Sequence, residues 1–207
     1  MAKWHGFGRC KTRLSRDIGK ANSAKVQSIM TKHTISVARS LEQKGLINIS
    51  LAISGLGLNK SRKWSNELGI QKFTLQGRGC LGERMKRQIL INKKFCLKKN
   101  FKNFIFIGTD LPDLCHLDLL NTIKELKQND LILGPSNDGG YWLIAFSERI
   151  LSTHLYLPFI NIKWSKENVL QNTINNFSSK DLKYKFLHKK IDVDTIKDIE
   201  TRNNQFV

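Results

Sequence analysis

Four consecutive apolar residues, Phe104-Ile105-Phe106-Ile107, run straight into Gly108-Thr109-Asp110-Leu111-Pro112. A short apolar run bounded by turn residues predicts a buried strand. Such a strand needs neighbours in a sheet and cover on both faces. The rest of the chain supplies both by alternation. Helices are predicted over 21–44, 61–68, 81–97, 117–126, 167–177 and 195–202. Strands are predicted over 47–53, 72–75, 103–107, 130–133, 141–146 and 185–188. In the first helix, Val26, Ile29, Met30, Val37, Ala38 and Leu41 recur at helical spacing, and Gly45 ends it.

This alternation predicts an α/β fold, a three-layer α/β/α sandwich on a mostly parallel, Rossmann-like sheet. No repeat, low-complexity run or linker divides residues 1–207, so one domain is expected. Right-handed crossovers put the strand-to-helix loops on one rim, and ligands of open α/β sheets bind beyond the carboxyl ends of the strands. Asp110 stands at such an end. It is a candidate for chemistry, or else a cap for the helix that follows.

Composition narrows the class. No stretch approaches the ~20 apolar residues of a membrane span. Residues 1–6 have no apolar core, so they are not read as a signal peptide. Cys10, Cys80, Cys96 and Cys115 form no C-x-x-C pair, which suits reduced thiols in a cytosolic protein. The formal net charge of +18 could serve nucleic acid, an anionic surface or phosphorylated substrates. The lysines are spread along the chain without interleaved aromatics, so a nucleic-acid partner is not the expectation.

Four further segments carry chemistry. Gly8-Arg9-Cys10-Lys11-Thr12-Arg13 places three cations on a glycine loop, as a pyrophosphate requires. It could also be a flexible basic arm. Gln76-Gly77-Arg78-Gly79-Cys80-Leu81-Gly82-Glu83 is a strand-end loop. Its glutamine could bond a nucleobase edge, and Glu83 could equally complement the helix dipole. Gly134-Pro135-Ser136-Asn137-Asp138-Gly139-Gly140 holds one carboxylate among turn residues, and a hairpin turn is the alternative reading. In Asp192-Val193-Asp194-Thr195, alternation puts both carboxylates on one face. Such a pair repels unless a cation intervenes, and magnesium takes one or two carboxylates plus substrate phosphates. Asp194 or Thr195 could instead cap the last helix.

Taken in order, Met1-Ala2-Lys3, Gly8-Arg9-x-Lys11-Thr12-Arg13-Leu14, Gln76-Gly77-x-Gly79-x-Leu81-Gly82-Glu83-Arg84-Met85, Gly108-Thr109-Asp110-x-Pro112, Gly134-Pro135-x-x-Asp138-Gly139-Gly140-Tyr141-Trp142-Leu143 and Asp192-x-Asp194-Thr195 form a pattern. The pattern resembles a bacterial family of GT-A-like proteins with the nucleotide-diphospho-sugar-transferase fold. Its members are described as glycosyltransferases, some linked to arsenosugar biosynthesis or to radical-SAM neighbours. The resemblance covers nearly the whole chain. It implies a glycosyltransferase that uses a nucleotide-sugar donor, a small-molecule acceptor and Mg2+ or Mn2+. By position it implies that Gly8, Arg9, Lys11 and Arg13 hold the nucleotide phosphates. Gln76 and Gly82 would meet the nucleobase beside Glu83. Asp110, Asp192 and Asp194 would bind the metal, and Asp138 would be the candidate base.

Three departures stand out. His5 and Phe7 replace prolines of the first loop, and Cys80 stands where the family often has Asp. The family also begins with a full strand, for which only residues 1–4 remain here, enough for a stub. The expectation drawn from this is that translation starts upstream of Met1. Two other functions compete. A nucleotidyltransferase would join a nucleoside triphosphate to a phosphorylated acceptor on the same fold. A non-catalytic basic protein would bind nucleic acid or partners with steep salt dependence and no response to magnesium.

Overall fold

The computed structural model describes residues 1–98, 103–154, 156–164, 166–178, 180 and 182–203. The chain divides into two compact units, neither continuous in sequence. The first comprises 1–75, 108–116 and 191–207; the second comprises 76–107 and 117–190.

The first unit holds β1 (Ala2–Lys3), α1 (Leu14–Glu42), β2 (Leu51–Ser54), α2 (Leu58–Glu67) and β3 (Phe73–Leu75). The three strands form a parallel sheet in the order β1-β2-β3. The expected stub is present: Ala2 pairs with Ile53 and Lys3 with Ser54. Ala2, Ile53, Leu51, Ile35, Trp64 and Ile70 form the core that α1 and α2 share with this sheet.

Helix α1 starts earlier than expected and contains a break at Gly19, whose φ of 81° is left-handed. Its buried face is partly polar. Ser23, Gln27, Thr31 and Thr34 are buried, whereas Ile29 is 56% exposed. The apolar spacing therefore places the helix but not its orientation. Hydrogen bonds explain the choice: Thr31 and Thr34 donate to the carbonyls of Gln27 and Met30, and Gln27 Nε2 donates to Thr109 Oγ1 at 3.2 Å. That last bond fastens the turn that carries Asp110.

The second unit holds α3 (Leu81–Lys98), β4 (Phe104–Ile107), α4 (His116–Glu125, whose first residue falls in the first unit), β5 (Leu131–Pro135), β6 (Tyr141–Phe146), α5 (Glu148–Thr153), α6 (Val169–Ser178) and β7 (Tyr184–Phe186). Its sheet has the order β4-β6-β5-β7 and is mixed. β6 runs antiparallel to both β4 and β5, and β7 runs parallel to β5. The segment 134–143 is thus the hairpin that the turn residues allowed, with Ser136 N–H bonded to the Gly140 carbonyl. A hairpin is the only short connection between adjacent strands, and no helix separates β5 from β6.

β4 ends the order of this sheet, and of its four residues only Phe106 is fully buried. The core lies around β5 and β6: Leu131, Ile132, Leu133, Leu143, Ile144, Ala145 and Phe146 are all buried. Phe146 meets Phe106 and Phe159 edge-to-face at 6.3 and 5.8 Å. The last helix, α7 (Ile196–Asn203), belongs to the first unit. Among the described residues no helix is long and apolar enough to cross a membrane.

Candidate functional site

The glycine loop of the first unit is ordered by its own chemistry. Arg9 N–H donates to the Gly6 carbonyl at 2.9 Å, closing a turn whose third residue, Gly8, has φ 66°. A glycine there adopts the left-handed backbone at no steric cost. Gly6 is required for a different reason: a Cβ would come within 2.5 Å of the Trp4 ring. The Cys10 thiol is buried and donates to the Gly6 carbonyl. Burial pushes its pKa up, so it is an inert thiol. Cys80 is an exposed thiol and Cys115 a half-buried cysteine outside any disulfide, while the Cys96 side chain lies outside the described residues.

The three cations of this loop do not act alike. Arg9 and Arg13 are exposed, and Lys11 is buried. Lys11 also has a left-handed backbone, with φ 45°. For a lysine that conformation costs on the order of 1 kcal/mol. It turns the side chain inward, where Nζ lies 2.9 Å from Asp110 Oδ1 and 2.9 Å from Asp194 Oδ1. The lysine side chain is 3% exposed, and its partners are 40% and 44% exposed. Burial alone would lower the Lys11 pKa, but Asp110 and Asp194 outweigh it and hold the ammonium above its ordinary value. Arg13 adds a longer contact, 3.8 Å to Asp194 Oδ2, from a largely solvated side chain.

Both acids are held from behind. The Asp110 carbonyl accepts the N–H of Val193 at 3.0 Å, and Val193 is buried between Asp192 and Asp194. Asp194 and Thr195 donate their N–H groups to Asp198 Oδ2, at 2.9 and 2.6 Å, and the Thr195 hydroxyl joins them. Asp198, three residues after Thr195, reaches back as the third helical position of a capping box does. The sequence reading overlooked it, although the Thr195-x-x-Asp198 spacing was its signal. Asp110 is no helix cap, because α4 begins only at His116.

These distances bear on the metal expected at Asp110, Asp192 and Asp194. Among the described residues no group of three or more His, Cys, Asp or Glu side chains is arranged to hold a metal. The point where the Asp110 and Asp194 oxygens converge is taken by the Lys11 ammonium. With Lys11 in this place, a divalent ion does not fit between them.

Gln76, Gly82, Glu83 and Asp138 lie in the second unit. Gln76 is buried, and its carbonyl accepts from Arg87. Arg87 also bonds the Arg78 carbonyl at 3.0 Å, and Arg84 bonds that of Gly79 at 2.9 Å. Two arginines of α3 thus strap the loop that precedes them. Glu83 Oε2 accepts the Cys80 N–H at 2.8 Å, which makes it the acid of a capping box. Gly82 sits under Trp164, where a Cβ would come within 2.5 Å of the indole. Asp138 is exposed, and its Oδ1 accepts the Ser136 hydroxyl and the Gly140 N–H, an Asx turn within the hairpin. Gly134 is covered by Trp142, whose Nε1 bonds the His188 carbonyl at 3.3 Å.

Comparison with known proteins follows the fold. A candidate nucleotide-diphospho-sugar transferase from Desulfovibrio desulfuricans G20 superposes with a TM-score of 0.82 at 25% identity, over 99% of this chain and 84% of that one. 4-Diphosphocytidyl-2C-methyl-D-erythritol synthase from Anaerococcus prevotii DSM 20548 gives 0.61 at 14% identity, over 99% and 95% of the two chains. CMP:2-keto-3-deoxy-manno-octonic acid synthetase, solved with CTP, gives 0.53 at 12% identity, over 99% and 95%. The last two likenesses show the fold alone. No curated protein matches the sequence. Residues 37–166 match the profile of the bacterial family DUF2064, described as an uncharacterized protein conserved in bacteria, and the chain belongs to that family.

Proposed function

We propose that this protein is a transferase acting on a nucleotide-activated substrate, and that its reaction is glycosyl transfer from a nucleotide-sugar. One observation carries the reading. The loop of residues 6–13 is built around a buried Lys11 anchor that leaves Arg9 and Arg13 exposed, Arg13 beside Asp194. Guanidinium groups bind phosphate oxygens with charge-assisted, often bidentate hydrogen bonds. Two of them on one ordered loop suit a diphosphate, whose negative charge grows as the sugar departs. The likeness to the candidate nucleotide-diphospho-sugar transferase supports the same reading. In the second unit, Asp138 is our candidate for the base that takes the acceptor proton, and Gln76 for the residue that meets the nucleobase. No step is assigned to a metal.

The test is a thermal-shift screen of nucleotide-sugars and nucleoside triphosphates. A native-state ligand at a hundred times its Kd adds about 2.7 kcal/mol of stability. A hydrogen bond to a charged group is worth about 1.5–3 kcal/mol, so Arg9→Ala or Arg13→Ala should weaken the selected ligand roughly 10- to 100-fold. Nucleoside diphosphate released from a nucleotide-sugar marks glycosyl transfer. Pyrophosphate released from a triphosphate would mark nucleotidyl transfer instead. If no nucleotide stabilises the protein, or if both variants bind as the parent does, the proposal fails.

A further inference from the structure

The Lys11 contacts reach further than the loop they anchor. Lys11 and Asp194 are 183 positions apart, yet the ammonium lies at 2.9 Å from both acids. Each partner is fixed independently of it. Gln27 holds Thr109 beside Asp110, Val193 N–H holds the Asp110 carbonyl, and Asp198 fixes the backbone of Asp194. The positive φ of Lys11 aims the side chain at the point where both acids converge. The acids are therefore not drawn together by a flexible lysine; they form a prepared pair that receives one cation. Lys11 and Arg13 set two cations against the Asp110 and Asp194 carboxylates. A buried ammonium between the two acids repels a dication at close range and takes up the charge they would offer it.

We propose that the ammonium of Lys11 is the resident cation of the Asp110–Asp194 pair and excludes divalent metal from it. The pair is then a latent metal site, opened by removing the lysine. This inference does not depend on the nucleotide reading, and its test contains no nucleotide.

The probe is manganese chloride alone, titrated into the protein and followed by loss of the paramagnetic resonance signal of aqueous Mn2+. The proteins compared are the parent, Lys11→Met, Lys11→Gln, the double variant Lys11→Met/Asp110→Asn, and Asp110→Asn. Far-UV circular dichroism checks that each is folded. Either Lys11 variant should bind one Mn2+ at least about tenfold more tightly than the parent, because a unit charge within a few ångströms of the ion has been removed. The double variant should lose that ion. Two results would overturn the proposal: a parent protein that binds one Asp110-dependent Mn2+ as tightly as Lys11→Met, or folded Lys11 variants that bind none. Should neither Lys11 variant fold, the parent and Asp110→Asn decide. Manganese bound by the parent and lost in Asp110→Asn refutes the exclusion; parent and variant indifferent alike support it.

Discussion

Gly82→Ala separates two explanations of the glycine that opens α3. If Gly82 is there to let a nucleobase approach, a methyl group should cost ligand affinity and leave the fold alone. The geometry argues for packing instead. An added Cβ would stand 2.5, 2.6 and 2.6 Å from three atoms of the Trp164 indole, about 0.9 Å inside the 3.4 Å where ordinary contact begins. The ring packs toward the buried Phe159, centroid to centroid 6.4 Å, so a shift of the indole disturbs that contact. Overpacking of this kind costs about 1–3 kcal/mol, while Ala returns at most about 1 kcal/mol of helix propensity. The expected net loss is about 1–2 kcal/mol, a fall in Tm of roughly 2–8 °C for a chain of this size. Denaturant unfolding followed by far-UV circular dichroism measures it. The control is the background Trp164→Leu, where the same Gly82→Ala change should be neutral or stabilising. A Gly82→Ala protein as stable as the parent, with nucleotide binding lost, would refute the packing account and restore the ligand one.

Other outcomes follow from the same contacts. Glu83→Ala should lower stability by about 1 kcal/mol through loss of the Cys80 N–H contact, as capping substitutions do, while leaving nucleotide-induced thermal shifts in place. Asp138→Asn keeps an oxygen for the Ser136 and Gly140 bonds, so its melting temperature should stay near the parent's; if Asp138 is the base, turnover alone should collapse. An active Asp138→Asn enzyme would remove that role. Burial and the nearby Lys32 lower the His5 pKa below 6.5, against a smaller opposing effect of Glu67. The unfolded chain therefore binds the proton more readily. Stability should be full above pH 6.5 and decline as pH falls below it, and His5→Phe should flatten that part of the curve measured by urea unfolding.

Much of the fold was legible because period and punctuation agree. Gly45 follows the helix it was expected to stop, with positive φ. The apolar run 104–107 is the strand it was read to be, within one residue of its bounds. Three things were not legible. Helix α1 buries Ser23, Gln27, Thr31 and Thr34 while Ile29 faces out, because hydrogen bonds to its own carbonyls and to Thr109 make the polar face compatible with burial. A hydrophobicity count cannot see partners. The hairpin at 136–140 looked like one more strand-end loop, since Asn, Asp and Gly serve either purpose. Helix α5 was missed, being six residues long and too short for any periodicity to register.

The site divides in the same way. The family resemblance implied Asp110, Asp192 and Asp194 beside a phosphate loop at residues 8–13, and the first unit brings Asp110 and Asp194 together with Lys11 of that loop. What the sequence could not reveal is that three cations spaced two apart have different jobs. Arg9, Lys11 and Arg13 look interchangeable on a phosphate loop. Their roles are decided by one backbone angle, the left-handed φ of Lys11, which sends the middle cation inward while its neighbours stay in solvent. A left-handed lysine has no local signature, because nothing in its neighbours' identity requires it. It persists because two carboxylates, 99 and 183 positions away, supply charge at the place where it ends. The strain and the ion pairs therefore explain each other. Removing either acid should release the loop as well as the lysine, so Asp194→Asn should increase amide hydrogen exchange across residues 8–13 while leaving that of α2 unchanged. Exchange that rises equally in both segments would mean that Asp194 serves the unit as a whole and not the loop.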